Sequence, residues 1–236
     1  MLKHYLFGLY TGLTFVLVTG CNPDKPKDQN NQSSSGLPVL GPMEILEGKD
    51  GGRDTVFREL PEIALEDQYG IAFHHDSLKG QIRVVDFFFA SCPGICIDMS
   101  RNMAALYAES QKKASGTPPT SLPATGLRFI SYTIDPQRDT RVVLAEYAQR
   151  HGIKPSSRQW LLLRGKEEEI HRLAEQYYLL SAGVDRSAPG GFLHSGQFLL
   201  IDPRGRIRGL YDGTQWAECK ILLRDIGLLQ KEFNNR

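Results

Sequence analysis

Residues 82–96 read IRVVDFFFASCPGIC and join an apolar run directly to two closely spaced cysteines. The first part of this stretch is rich in β-branched and aromatic side chains, as a buried central strand is. The sequence predicts a strand at residues 82–89, a turn that carries Cys92 and Cys96, and a helix at residues 95–113. Apolar side chains recur at helical spacing in that last segment: Met99, Met103, Leu106 and Tyr107.

Strands and helices alternate along the rest of the chain. In chain order the sequence predicts a strand at residues 127–134, a helix from Asp139 or Thr140 to His151, a strand at 159–163, a helix at 166–178, a hairpin of strands at 197–202 and 206–211, and a last helix at 215–233. Alternation of this kind implies a mainly parallel sheet with helices on both faces, to which the hairpin adds an antiparallel edge. A strand followed by a cysteine pair at the start of a helix is the thioredoxin-like arrangement. The predicted fold class is therefore α/β and thioredoxin-like.

Length and composition limit the possible functions. The chain has 236 residues, of which 41% are hydrophobic, enough for one folded domain with appendages. A net charge of +1 gives no reason to expect nucleic acid as a partner. Four cysteines are too few for a disulfide-rich scaffold, so their positions matter more than their number.

The N-terminus has the pattern of a secretory signal peptide. Lys3 and His4 precede an apolar run at residues 5–18, which is too short and too rich in glycine and threonine for a transmembrane helix. The run ends in VTGC at residues 18–21, which resembles a bacterial lipobox and implies cleavage before Cys21 and attachment of lipid to its sulfur. The alternative is a signal anchor with an incidental cysteine. Either interpretation places the domain outside the cytoplasm at a membrane.

Three regions follow from these patterns. Residues 1–20 are the predicted lipoprotein signal peptide. Residues 21–58 are the predicted lipidated cysteine and flexible tether, because residues 22–36 hold only polar residues, proline and glycine and cannot bury enough apolar surface to offset the entropy of ordering. Residues 59–236 are the predicted thioredoxin-like domain, which would face the periplasm or the exterior of a bacterial cell envelope.

The position of Cys92 and Cys96 favours thiolate chemistry. The N-terminus of a helix carries unpaired N–H groups and a partial positive charge, which stabilise a thiolate, and the thiolate is both the nucleophile and the metal ligand of cysteine. One helical turn would bring the two sulfurs together, either as ligands of one metal or as a disulfide. A structural disulfide or two inert buried thiols are the alternatives. Cys219, among apolar residues of the last predicted helix, is predicted to be a buried thiol.

A metal bound by two thiolates commonly recruits an imidazole or another sulfur. His194 stands at the end of a Gly/Pro-rich loop just before a predicted strand, where open α/β sheets place functional residues. His75, in a polar turn before the first long strand, is the alternative ligand. His151 and His171 fall in predicted helices, where surface or capping roles are expected. The predicted site therefore joins the cysteine pair to His194.

Three motifs in this order resemble the SCO/SenC family of copper proteins. They are FFASCPGIC at residues 88–96, TIDPQRDT at residues 133–140, and His194-Ser195 followed by LIDPRG at residues 200–205. The resemblance covers residues 60–229 and implies a thioredoxin-like fold that binds one copper ion, as Cu(I) or Cu(II), through Cys92, Cys96 and His194. It also implies a role in maturing the dinuclear copper centre of cytochrome c oxidase.

Three further positions can be compared with the motifs of this family. Asp135 and Asp139 match acidic positions of the family's Asp-Pro motif, and we assign a ligand role to neither. Asp139 is expected to cap the helix that follows it. Ile97 stands where the family commonly has a proline, a change that removes no ligand.

Two functions fit these residues. The first is a metallochaperone that takes copper from a donor protein and delivers it to the copper-binding subunit of cytochrome c oxidase or to another copper acceptor, without chemical turnover. The second is a thiol–disulfide oxidoreductase, in which Cys92 attacks a client disulfide and Cys96 resolves the mixed disulfide. A structural zinc site would need a fourth ligand, and a peroxidase would need a Thr-x-x-Cys element that is missing here. Copper delivery from a lipid-anchored position on the membrane is the favoured hypothesis.

Overall fold

The structure of the protein is a computed structural model. It describes residues 36–41, 59–112, 126–155, 158–180 and 195–234 in full, and residues 43–47, 53–57, 182–184 and 192–194 as backbone. The predicted signal peptide, the lipid on Cys21 and most of the predicted tether lie outside the described residues. From residue 35 onward the chain forms one unit.

The order of strands and helices follows the predicted alternation. The strands are β1 (Met43–Glu47), β2 (Arg53–Phe57), β3 (Leu65–Glu66), β4 (Ala72–Phe73), β5 (Ile82–Phe88), β6 (Leu127–Thr133), β7 (Trp160–Leu163), β8 (Ala182–Val184), β9 (Phe192–His194), β10 (Gln197–Ile201) and β11 (Ile207–Asp212). The helices are α1 (Cys96–Gln111), α2 (Arg141–Arg150), α3 (Glu167–Gln176) and α4 (Trp216–Asn234), and a short 3₁₀ turn covers His75–Leu78.

A five-stranded sheet in the order β11-β10-β5-β6-β7 forms the centre of the fold. The strands β5, β6 and β7 are parallel, and β10 runs antiparallel to both β5 and β11. Because β10 is antiparallel to β5, the start of β10 lies beside the C-terminal end of β5. The predicted fold class, with its mainly parallel sheet, flanking helices and late antiparallel hairpin, is confirmed.

Both faces of the sheet are buried at β5. Alternate side chains of a strand point to opposite faces, and Val84 and Phe88 pack with α1 and α4, while Val85 and Phe87 pack with α3. All four side chains are at most 2% exposed. Each such burial stabilises the fold by about 1.5–3 kcal/mol, which explains why this strand is a continuous apolar run.

Two charged residues, Arg83 and Asp86, interrupt that run although each is only 4% exposed. Asp86 lies opposite Ser131 of β6, and the Ser131 side chain hydrogen-bonds the Asp86 carboxyl group. The indole Nε1 of Trp160 donates in turn to the Ser131 hydroxyl at 3.0 Å. The second carboxyl oxygen of Asp86, Oδ1, is buried without a hydrogen-bond partner. Burial is the main cause that raises the pKa of Asp86 to about 7.

Three two-stranded hairpins were not predicted. The β1–β2 hairpin falls within residues 21–58, β3 pairs with β4, and β8 pairs with β9 in the segment predicted as a long loop, residues 180–192. The strands of the β3–β4 and β8–β9 hairpins have only two or three residues, too few to show the alternating pattern by which strands are recognised in a sequence. Within the described residues no helix is both long and apolar enough to cross a membrane.

Candidate metal centre

The cysteine pair lies in the connection between β5 and α1. Cys92 is in the turn before the helix, where its backbone N–H donates to the carbonyl oxygen of Phe89 at 3.2 Å, and Cys96 is the first residue of α1. The expectation that one helical turn joins the sulfurs is therefore wrong, because Cys92 precedes Pro93, and a residue before proline disfavours the helical conformation. The turn nevertheless brings the side chains of Cys92 and Cys96 into hydrogen-bonding contact.

The two sulfurs differ in accessibility. Both residues carry thiols, but Cys92 is half-buried while Cys96 is only 4% exposed. Burial, followed by the neighbouring Cys92 thiol, raises the pKa of Cys96 well above its ordinary value. The expected thiolate-stabilising effect of the helix N-terminus is thus outweighed at Cys96, and a metal that binds there must displace its proton.

A cavity of about 220 Å³ opens beside the two cysteines. Its lining includes Phe89, Tyr147 and His151 besides both cysteines. His151 is the residue that follows α2 and stacks near Tyr147, with ring centroids 4.3 Å apart, and burial lowers its pKa. The sequence predicted only a surface or capping role for this residue, since nothing in its local pattern indicates that α2 ends beside the cysteines.

The segment that bears His194 passes next to the cysteine turn. His194 is the last residue of β9, where its backbone pairs with Ala182, and β10 begins three residues later at Gln197. At Gly196, a Cβ atom would lie 3.4 Å from Cδ1 of Ile95, within the cysteine turn. The side chain of His194 lies outside the described residues, so its role as a ligand stays a prediction, which the position of Gly196 beside Ile95 supports.

The other histidines are held elsewhere. His75 is buried, its Nδ1 is 2.8 Å from the Pro61 carbonyl oxygen, and its Nε2 is 3.0 Å from the Tyr132 hydroxyl. It lines a cavity together with Arg83, near the start of β5, and both of its ring nitrogens are engaged, which argues against His75 as the alternative ligand. His171 Nε2 lies 3.0 Å from a backbone carbonyl oxygen. Among the side chains that the structure describes, no three of His, Cys, Asp or Glu gather closely enough to hold a metal ion.

Cys219 has the role that the sequence predicts. It is 0% exposed and packs in the same apolar cluster as Val84 and Phe88. Burial is the main cause that raises the pKa of its thiol to about 11. Cys219 is a small apolar side chain of the core.

The two aspartates of the Asp-Pro motif have different contacts, and only Asp139 reaches the cysteine connection. Thr140 caps α2, since its side chain accepts a hydrogen bond from the Val143 N–H at 3.4 Å. The prediction that Asp139 is the cap is wrong, because its carboxylate turns instead to β6 and to the cysteine connection. It accepts hydrogen bonds from the Ala90 N–H at 3.0 Å and from the Thr133 hydroxyl. Asp139 therefore fixes the backbone two residues before Cys92.

The companion residue, Asp135, makes local contacts only. Its Oδ1 accepts a hydrogen bond from the Arg138 N–H at 3.3 Å, and its carboxylate pairs with the Arg138 guanidinium at 3.2 Å. Asp135 is 3% exposed. These contacts shape the turn before α2.

Replacement of Asp139 by alanine is expected to destabilise the protein by about 2–4 kcal/mol, because two buried donors lose their acceptor together. The free energy of unfolding in urea measures this effect. Asp98→Ala is the matched control, since Asp98 is exposed on α1 and such changes stay within about 0.5 kcal/mol. Equal stabilities of the two variants would show that Asp139 does not hold the cysteine connection.

Comparison with known proteins now places this site in a family. The sequence pattern of the SCO1/SenC family matches residues 58–226. The chain belongs to the SCO1/SenC family. The matched residues include the cysteine pair, the Asp-Pro motif and the segment of His194.

Three solved structures show the relationship in three dimensions. A SCO1/SenC family lipoprotein from Bacillus anthracis is 25% identical, with a TM-score of 0.61 over 73% of this chain and 95% of the other. BsSco, a member of the Sco family of cytochrome c oxidase assembly proteins with a disulfide switch, is 23% identical, with a TM-score of 0.55 over 74% and 96%. Yeast Sco1 with copper bound is 27% identical, with a TM-score of 0.50 over 69% and 85%.

Proposed function

We propose that this SCO1/SenC protein binds one copper ion through Cys92, Cys96 and His194 and delivers it during assembly of cytochrome c oxidase. The observation that carries the proposal is the approach of the chain just after His194 to the cysteine turn, where a Cβ atom at Gly196 would lie 3.4 Å from Cδ1 of Ile95. This approach supports a site in which the imidazole of His194 would join the two cysteines, whose side chains are in hydrogen-bonding contact.

The donor set fits copper by its chemistry. Thiolates are soft ligands that suit Cu(I), and an imidazole nitrogen allows Cu(II) to bind as well. Cys92 is the more accessible sulfur, and the cavity of about 220 Å³ beside it leaves room for a ligand of an acceptor protein. Exchange between donor and acceptor would proceed from Cys92, the exposed side of the site.

The relatives support both parts of the proposal. Yeast Sco1 has been solved with copper bound, and BsSco belongs to a family of cytochrome c oxidase assembly proteins. The acceptor that we propose is therefore the copper-binding subunit of the oxidase, and the copper comes from a separate donor protein.

A lipid anchor completes the proposal. The related protein of Bacillus anthracis is a lipoprotein, and the lipobox-like residues 18–21 support lipid attachment at Cys21. Several acyl chains, each contributing about 0.8 kcal/mol per buried methylene, would hold the domain at the outer side of a bacterial membrane.

A second function, thiol–disulfide exchange, is favoured by the difference between the sulfurs. The half-buried Cys92 is placed to attack a client disulfide, and the buried Cys96 is placed to resolve the mixed disulfide. The client disulfide would gain two electrons from the pair and be released as a dithiol, while Cys92 and Cys96 would become a disulfide. This reaction would keep the copper-ligand cysteines of an oxidase subunit reduced, and it needs no imidazole.

Replacement of His194 by alanine is the experiment that tests the copper site. The reduced full-length protein is expected to bind one Cu(II) per chain, and His194→Ala is expected to lose Cu(II) while its thiols still react with a thiol reagent. His74→Ala is the matched control, because His74 is exposed beside the 3₁₀ turn. Unchanged Cu(II) stoichiometry in His194→Ala would rule out the three-ligand site.

The same variant separates the two functions in cells. If the protein delivers copper, His194→Ala should fail to restore cytochrome c oxidase activity in a strain that lacks the gene, although its cysteine pair remains redox-active. Full restoration by His194→Ala would favour the oxidoreductase instead.

A further inference from the structure

Arg83 is a buried cation without a counter-ion among the described residues. Its side chain is 4% exposed, and its only hydrogen bond runs from Nη2 to the backbone carbonyl oxygen of Asp202 at 3.3 Å. Its Nε is buried with no partner. A guanidinium cannot release its proton in a protein, and a buried charge without a partner strongly destabilises a fold. Within the described part of the chain, Arg83 therefore lacks a counter-charge.

Asp202, whose backbone oxygen contacts Arg83, does not supply the missing charge. The carboxylate of Asp202 pairs with Arg206 at 2.7 Å and with Arg208 at 3.1 Å, and it offers Arg83 only its backbone oxygen. The neighbours across the sheet are Arg128 of β6 and Ile201 of β10, which add no negative charge.

Arg83 forms part of the lining of a cavity of about 290 Å³. The cavity lies between the 3₁₀ turn and the β10–β11 turn, and the backbone N–H of Gly80 joins these two turns by donating to the Pro203 carbonyl oxygen at 3.0 Å. A Cβ atom at Gly205 would lie 3.6 Å from Nη2 of Arg83, so this glycine leaves the guanidinium without a side-chain cover. Arg83 is near the start of β5, and the cavity is thus at the opposite end of that strand from Cys92.

Positive charge is in excess around this cavity. Lys79 and Arg204 line it together with Arg83, against the carboxylates of Glu59 and Asp76. Lys79 pairs with Asp76 at 2.7 Å at the exposed rim. His75, which also lines the cavity, has both ring nitrogens engaged with Pro61 and Tyr132. Arg83 is the buried one of these three cations, while Lys79 and Arg204 are exposed.

We propose that this cavity binds a small oxyanion, a carboxylate or phosphate group on a compact molecule, with Arg83 as its main partner and Arg204 and Lys79 at its rim. The planar fork of a guanidinium matches the oxygens of both groups. A volume of about 290 Å³ accommodates a group of this kind with a few further atoms. The site is separate from the cysteine pair, and the proposal does not depend on copper.

Calorimetric titration of the full-length protein tests the proposal. The two titrants are inorganic phosphate and malonate, and chloride keeps the ionic strength constant. The parent should bind at least one of the two anions at a single site, and the one that binds identifies the group as phosphate or carboxylate. Arg204→Ala should weaken binding by roughly tenfold. The matched control Arg172→Ala, an exposed arginine on α3, should leave it unchanged.

Arg83→Met gives a second, independent readout. Without added anion this variant should unfold at a temperature equal to or above that of the parent, because an unpaired buried charge has been replaced by an apolar side chain. It should show no rise in that temperature when phosphate or malonate is added. Absence of binding to both anions in the parent, or an equal rise in the parent and in Arg83→Met, would overturn the proposal. If Arg83→Met does not fold, equal affinities of Arg204→Ala and Arg172→Ala would overturn it.

Discussion

Loss of high-affinity copper(I) binding, by more than about a hundredfold, is the expected result of Cys96→Ser. A serine hydroxyl is a hard and weakly bound ligand for Cu(I), whereas a thiolate is soft. Cys96 is buried beside the Cys92 side chain, so no water or neighbouring donor can easily take the place of its sulfur. The loss should therefore exceed the effect of exchanging a residue that only supports a ligand.

Competition with a chromophoric Cu(I) chelator measures this affinity in the reduced full-length protein. Cys219→Ser is the matched control, because it also removes a buried sulfur but in the core between the sheet and α4. The control should lose stability and keep its affinity for copper. The proposed site is wrong if Cys96→Ser and Cys219→Ser bind Cu(I) equally well.

Replacement of Asp86 by asparagine is expected to make the stability of the protein less dependent on pH. The folded protein holds the pKa of Asp86 at about 7, while the ordinary pKa of an aspartate is 3.8. Between these values the native state keeps a proton that the unfolded chain releases, so the parent loses stability as the pH rises through this window. The difference between the two pKa values corresponds to a loss of folding stability on the order of 4 kcal/mol across this window.

Urea unfolding between pH 4 and pH 8 gives the free energies for this test. Relative to the parent, Asp86→Asn should gain stability steadily as the pH rises through the window. Asp139 contributes a slope of the same sign in both proteins, since burial also raises its pKa, and Cys96 titrates only in the alkaline range. Parallel curves for the parent and Asp86→Asn would contradict the prediction, and Asp98→Asn, an exposed aspartate, should give the parental curve.

The sheet was predictable from the sequence because its strands are long and buried. Continuous apolar runs mark β5 and β6, and the positions of all four helices agree with the prediction to within a few residues. The β3–β4 and β8–β9 hairpins are too short to contain such a run. The β8–β9 pair has only three residues in each strand, and its pairing depends on contacts that a local pattern does not contain.

The candidate site was predictable in its residue types and less so in its geometry. The spacing of Cys92 and Cys96 shows that the sulfurs can meet, but Pro93 decides that they meet across a turn. Asp139 was misassigned because its partner, the Ala90 N–H, is distant in sequence. A local cap and a long-range contact look alike in a sequence, and only the packing of β6 against β5 distinguishes them.

The docking of β10 against β5 decides when the proposed copper site can form. Leu199 pairs with Val85, and α1, α2 and α3 all lie between these two residues in the chain. Contacts between such distant segments form late, since the intervening chain must first become ordered. A nascent domain would therefore display its thiols well before the segment of His194, the third ligand that we propose, is in place, so that copper binding would report completed folding.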